Sequence, residues 1–275
     1  MVNTLTPPSA VRLRISRESD SSKLGRVEPV VVLILFAVFL GALSQRVTGM
    51  GFGLVSGPFL VLLLDPFSGV ILVNICGIVA SFSVFVRTFA EVEWPPFRHL
   101  ALGAVLGTIP GALLSAALPT APLQILIGVL IVVSLISSLT LGKLGRTIPA
   151  NLGTRLTAGL FSGAMSAAAG AGGPAVSAYA VLTNWEQRSF AATLQPFLVV
   201  GTASAVVMKV IVHGGTWPHL EAGVWIGLGL VLVAGLAGGD WLARYIDVGV
   251  ARIGMLVLAF GGGIAALVKG ILALV

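Results

Sequence analysis

The chain has 275 residues, 57% of them hydrophobic and 9% charged, with a net charge of +6 and a mean hydropathy of +1.05. Soluble domains carry about 25% charged residues, so a soluble globular protein is excluded. The 35 glycines and 14 prolines follow no fixed period, which excludes collagen-like and low-complexity chains. Long, continuous apolar stretches without the alternation of a β-barrel leave an all-α, polytopic membrane protein in a lipid bilayer.

Residues 1–29 carry Arg12, Arg14, Arg17, Lys23 and Arg26 among prolines and serines. They read as a polar, disordered tail. No small-residue cleavage site follows the apolar run after Pro29, so the run reads as an anchor rather than a signal peptide. A spanning helix needs about 20 apolar residues. Eight candidates follow: Val30 to Leu64, Ser68 to Val86, Leu100 to Leu118, Leu123 to Leu139, Leu156 to Leu182, Phe190 to Val212, Ala222 to Leu242 and Val248 to Val275.

The first and fifth are interrupted. The first holds Thr48-Gly49-Met50-Gly51-Phe52-Gly53 and then Pro58; the fifth holds Gly170-Ala171-Gly172-Gly173-Pro174. Glycine costs about 1 kcal/mol and proline about 3 kcal/mol in a helix interior relative to alanine. Such clusters break a helix, and broken backbone at membrane depth must be buried or line a cavity. Gly103, Gly107, Gly223, Gly227 and Gly261–Gly263 read instead as helix-packing glycines.

The two interrupted segments belong to an internal duplication. Gly41-Ala42-Leu43-Ser44 matches Gly163-Ala164-Met165-Ser166, Trp94-Pro95 resembles Trp217-Pro218, and Asn74 falls opposite Gln195. The chain divides into the tail (1–29), a first repeat (30–140) and a second repeat (153–275). Broken helices at matching places in two repeats point to a transporter's binding site.

Each interrupted segment either crosses once or returns as a re-entrant hairpin. With single crossings, basic residues divide 12 against 3 in favour of the side that holds the tail; with hairpins they divide 7 against 8. The positive-inside rule therefore favours eight crossings, both termini cytoplasmic and halves related in parallel. As one helix, however, the first segment would reach about 52 Å against roughly 30 Å of hydrocarbon.

A broken helix presents N–H groups and the positive dipole end at the start of its second half. The candidate anion-binding residues are Thr48, Gly49, Gly51 and Gly53 at the first break, with Ser166, Gly170, Gly172 and Gly173 at the second. Asn74 and Gln195 add amides from neighbouring helices, and Arg46 adds an intramembrane cation. No nucleophile–base pair, metal cluster or cofactor motif is visible, so no enzyme is read. Cys76 is the single cysteine. His99, His213 and His219 fall at segment ends and read as interfacial, as do Trp94, Trp185 and Trp217. The basic residues form no aromatic-interleaved patch, so nucleic acid is not a partner.

The two G-x-x-S stretches with their glycine-rich breaks resemble the TauE/SafE sulfite exporter family of membrane permeases. The likeness covers residues 30–275, and the first break departs from it by interrupting the glycine run with Met50 and Phe52. The resemblance implies a permease of the bacterial cytoplasmic membrane for small anions such as sulfite, organosulfonates or sulfoacetate, moved outward. The expected function is a secondary transporter working by alternating access, with a coupling ion (proton or sodium) and a homodimer as further partners. An anion channel and a non-transporting membrane scaffold are the alternatives.

Overall fold

The computed structural model describes residues 29–49, 52–140 and 147–274. The expected disordered tail, together with Gly51, Lys143 and Arg146, lies outside the described residues. Within them the elements are helices and turns: α1 (Pro29–Thr48), α2 (Phe52–Leu63), α3 (Pro66–Thr88), α4 (Trp94–Ala117), α5 (Thr120–Thr140), α6 (Leu152–Ala169), α7 (Gly173–Leu182), α8 (Gln187–Val212), α9 (Ala222–Leu242) and α10 (Val248–Leu272). Seven of these, α1, α3, α4, α5, α8, α9 and α10, are long and apolar enough to cross a membrane. The chain is therefore a multi-pass helical membrane protein.

Local chemistry fixes the ends. Asp65 accepts from the N–H groups of Phe67 and Ser68, with Pro66 opening α3. Asn151 and Thr154 form a capping box at the start of α6. Gly49 (φ 82°) and Gly170 (φ 69°) are left-handed, a conformation that costs glycine nothing, and they stop α1 and α6.

The first interrupted segment is α1 plus α2, and the chain reverses between them. Ser56 Oγ in α2 donates to the Ala37 carbonyl in α1 at 2.9 Å. A continuous helix would hold those residues about 28 Å apart. The second interrupted segment, α6 plus α7, reverses as well: Ile148 N–H, ahead of α6, donates to the Leu182 carbonyl at the end of α7. Single crossings by these two segments, the expectation from loop charge, do not describe the molecule. Hydropathy registers how long an apolar run is, not whether it turns round. With hairpins the basic residues divide 7 against 8, so loop charge ceases to select an orientation.

Helix directions follow from close approaches at glycine. Gly103, Gly107 and Gly111 of α4 lie against the backbone at Leu156, Leu160 and Ala164 of α6, and Gly159 and Gly163 of α6 lie against Leu100 and Ala104. The order rises together, so α4 and α6 run parallel, packed through small residues. Gly227, Gly235 and Gly239 of α9 meet Leu35, Ala42 and Arg46 of α1 in the same rising order. α3 and α8 are antiparallel, since Phe67 stacks on His213 while Glu91 pairs with Arg188.

The sequence of one long helix, one short helix and three long helices thus occurs twice. α1–α5 and α6–α10 run in opposite senses, not in parallel. The starts of α1 and α3 and the ends of α8 and α10 share one end of the molecule, here called the terminal end. At the far end, Asp240 of α9 binds Arg87 of α3 at 2.9 Å and also binds Arg46 of α1.

Candidate functional site

The two hairpin tips meet inside the bundle. A Cβ on Gly53 would overlap the Gly170 carbonyl oxygen, so main chain rests on main chain there. Beside this contact lies a cavity of about 30 Å³, lined by Phe52, Gly53 and Leu54 of one tip and Gly170–Pro174 of the other, with Gln45, Gly77 and Thr202 among the surrounding residues. The N-terminal ends of α2 and α7 border the same space, each a positive dipole end.

Each tip is held by an amide from the opposite half. Gln195 of α8 donates to the Gly49 carbonyl at 3.0 Å, and Asn74 of α3 donates to the Ser166 carbonyl at 3.0 Å. Both are buried, and Asn74 Oδ1 has no partner among the described residues. Their correspondence in sequence thus has a geometric counterpart, with the assignment crossed between halves.

Sequence reasoning missed Gln45. Its Oε1 accepts from Phe52 N–H at 3.1 Å, capping α2, while its Nε2 donates to Gly49 O at 3.2 Å and Gln195 Oε1 at 3.3 Å. An amide four residues ahead of a glycine break was the available signal, because a side chain at that spacing reaches the tip.

The second break is built from hydroxyls and backbone. Ser162 Oγ donates to the Gly172 carbonyl at 2.7 Å, and the buried Ser166 backs onto Gly172. Gly172 caps α7 with no side-chain acceptor, and a Cβ at Gly173 would meet nothing within 4 Å. The first turn of α7 therefore presents backbone with free space in front of it.

A second cavity of about 450 Å³ opens toward the far end. It shares Leu54 and Pro174 with the small cavity and takes in Thr48, Gly49, Ser177 and Asn184. Trp185, Phe190 and Leu256 supply apolar wall, and among the described residues Arg252 is the one charged member of the lining. Thr48 Oγ1 donates to the Ser44 carbonyl at 2.8 Å.

Of the expected residues, Gly53, Gly170, Gly172 and Gly173 border the small cavity, and Thr48 and Gly49 border the large one. Asn74, Gln195 and Ser166 form the supporting shell. Gly51 lies outside the described residues. Arg46 borders neither cavity: its guanidinium is committed to Asp240, away from the tips. The sequence hid this because Asp240 is 194 residues distant.

The family model described as "Sulfite exporter TauE/SafE" matches residues 33–266. No curated protein and no solved structure matches the chain. The match spans most of the chain, which therefore belongs to the TauE/SafE sulfite exporter family.

Proposed function

Taking that family membership as premise, we propose that this membrane transporter carries small anions, such as sulfite, organosulfonates or sulfoacetate, outward across the bacterial cytoplasmic membrane by alternating access. The observation that carries the reading is the convergence of two helix N-termini on one glycine-lined cavity. Backbone N–H groups and aligned dipoles at such ends favour an anion, and glycine lets it approach closely. In this reading the anion binds at the tips, with Gly172 and Gly173 supplying N–H groups, and leaves through the large cavity past Arg252. Rocking of the oppositely directed halves opens the tips in turn to the terminal end, where the anion is loaded, and to the far end, where it is released. The small cavity is of water size, so the tips must separate to admit an anion; that favours a carrier over an open channel. On this reading the termini, with the basic tail, lie on the cytoplasmic side.

Counterflow of labelled sulfite, sulfoacetate and acetate in proteoliposomes tests this. Saturable, exchange-accelerated flux of the sulfur anions is expected. Currents far above carrier turnover would favour the channel, and absence of flux for every anion would favour a scaffold.

A further inference from the structure

Lys209, near the end of α8, is wholly buried. Its ammonium donates to Ser115 Oγ of α4 at 3.0 Å and to the Ala167 carbonyl of α6 at 3.3 Å, and it lies 5.7 Å from the centre of the Phe67 ring of α3. Among the described residues no carboxylate stands within ion-pair distance of it. Asp65, exposed at the start of α3, is engaged by the Phe67 and Ser68 N–H groups, and the His213 ring, which packs against Phe67, hydrogen-bonds the backbone carbonyl of Lys209 rather than its ammonium.

A buried charge with no counterion is costly. Where a side chain serves packing alone, an apolar residue of the same size does as well or better. An intramembrane cation therefore calls for a functional reason.

Its position supplies one. Ala167 lies three residues ahead of Gly170, on the last turn of α6, so the lysine grips the carbonyl end of the helix that carries the second tip. It does so from the terminal-end side, opposite the large cavity. The same helix, α8, holds the first tip through Gln195. Lys209 thus ties α4, α6 and α8 together on the terminal-end side of the tips.

We propose that Lys209 is the terminal-end gate and the anion's ligand on that side. With the gate shut, its ammonium rests on Ser115 and Ala167; as the halves rock, it releases those two oxygens and takes the anion, which becomes the counterion it lacks. The inference rests on the anion-carrier reading and adds to it a specific residue and face.

The test uses the full-length protein in proteoliposomes of known orientation, with labelled sulfite and sulfoacetate as probes. Lys209→Met keeps the shape and removes the charge. The expected result is an unchanged melting temperature, a KM raised about tenfold or more at the terminal face, and a KM at the far face close to that of the parent protein. Lys209→Arg retains part of the transport. Lys209→Cys is inactive and regains transport when an aminoethyl disulfide rebuilds the ammonium. This last arm decides the matter even where Lys209→Met folds poorly. Transport by Lys209→Met with parental rate and KM at both faces overturns the proposal, as does a Lys209→Cys protein indifferent to aminoethylation. If the parent protein itself carries neither anion, the carrier reading fails and this inference falls with it. If the parent carries them and the variants are indifferent, only the role of Lys209 fails.

Discussion

The two hairpin tips occupy equivalent places but are built differently. At the first tip the start of α2 is capped by Gln45, and the Gly49 carbonyl receives two amide donors. At the second, a left-handed Gly170 ends α6, and Gly172 opens α7 with no side-chain cap. One tip caps its second helix with a side chain; the other leaves the start of α7 without one. On this reading the second tip is the anion's main seat and the first is a clamp that sets its shape.

Paired glycine substitutions break this comparison most sharply. Gly53→Ala drives a methyl into the Gly170 carbonyl, and overpacking of that kind costs about 1–3 kcal/mol. Thermal stability and transport should both fall. Gly173→Ala has open space and helical geometry, so the melting temperature should hold or rise while the anion's KM increases. A Gly173→Ala protein with unchanged KM would remove the anion from the second tip.

The clamp is tested next. Gln45→Ala and Gln195→Ala each strip donors from the Gly49 carbonyl, leaving buried polar groups unpaired at about 1–3 kcal/mol each. Because the two amides touch, the double variant should cost less than the sum of the singles, read from denaturation midpoints. Additive losses would mean that they hold the tip independently.

The smallest effect is expected at Arg46. Its pairing with Asp240 is partly exposed, and such pairs are worth about 0–1 kcal/mol. Arg46→Met should leave flux near the parental value and shift the melting temperature slightly. A large rise in KM would return Arg46 to the anion site.

Much of this was legible in the residues. Apolar run lengths marked the helices, and the glycine clusters marked where both segments break, although Pro58 lies inside α2 rather than at the break. The matched Asn74 and Gln195 identified the two amides that hold the tips. Chain direction was not legible, because α2 and α7 are as apolar as a continued span and nothing local in sequence records a reversal. Lys209 stands in the sequence as one more basic residue near the end of an apolar run. Its burial comes from Ser115 and Ala167, 94 and 42 residues away, and no local pattern signals it. The pairing of Arg46 with Asp240, 194 residues distant, was hidden in the same way.

The contact of Gly53 with Gly170 also bears on how this protein can diverge. Two main chains touch there, and glycine has nothing left to remove. Every substitution at that point adds bulk, so the meeting of the tips cannot be widened by mutation. A lineage adapting to a larger cargo would have to yield elsewhere, at wall residues such as Val73, Leu198 and Thr202. Variation in cargo should therefore be written on α3 and α8, around two tips that stay the same.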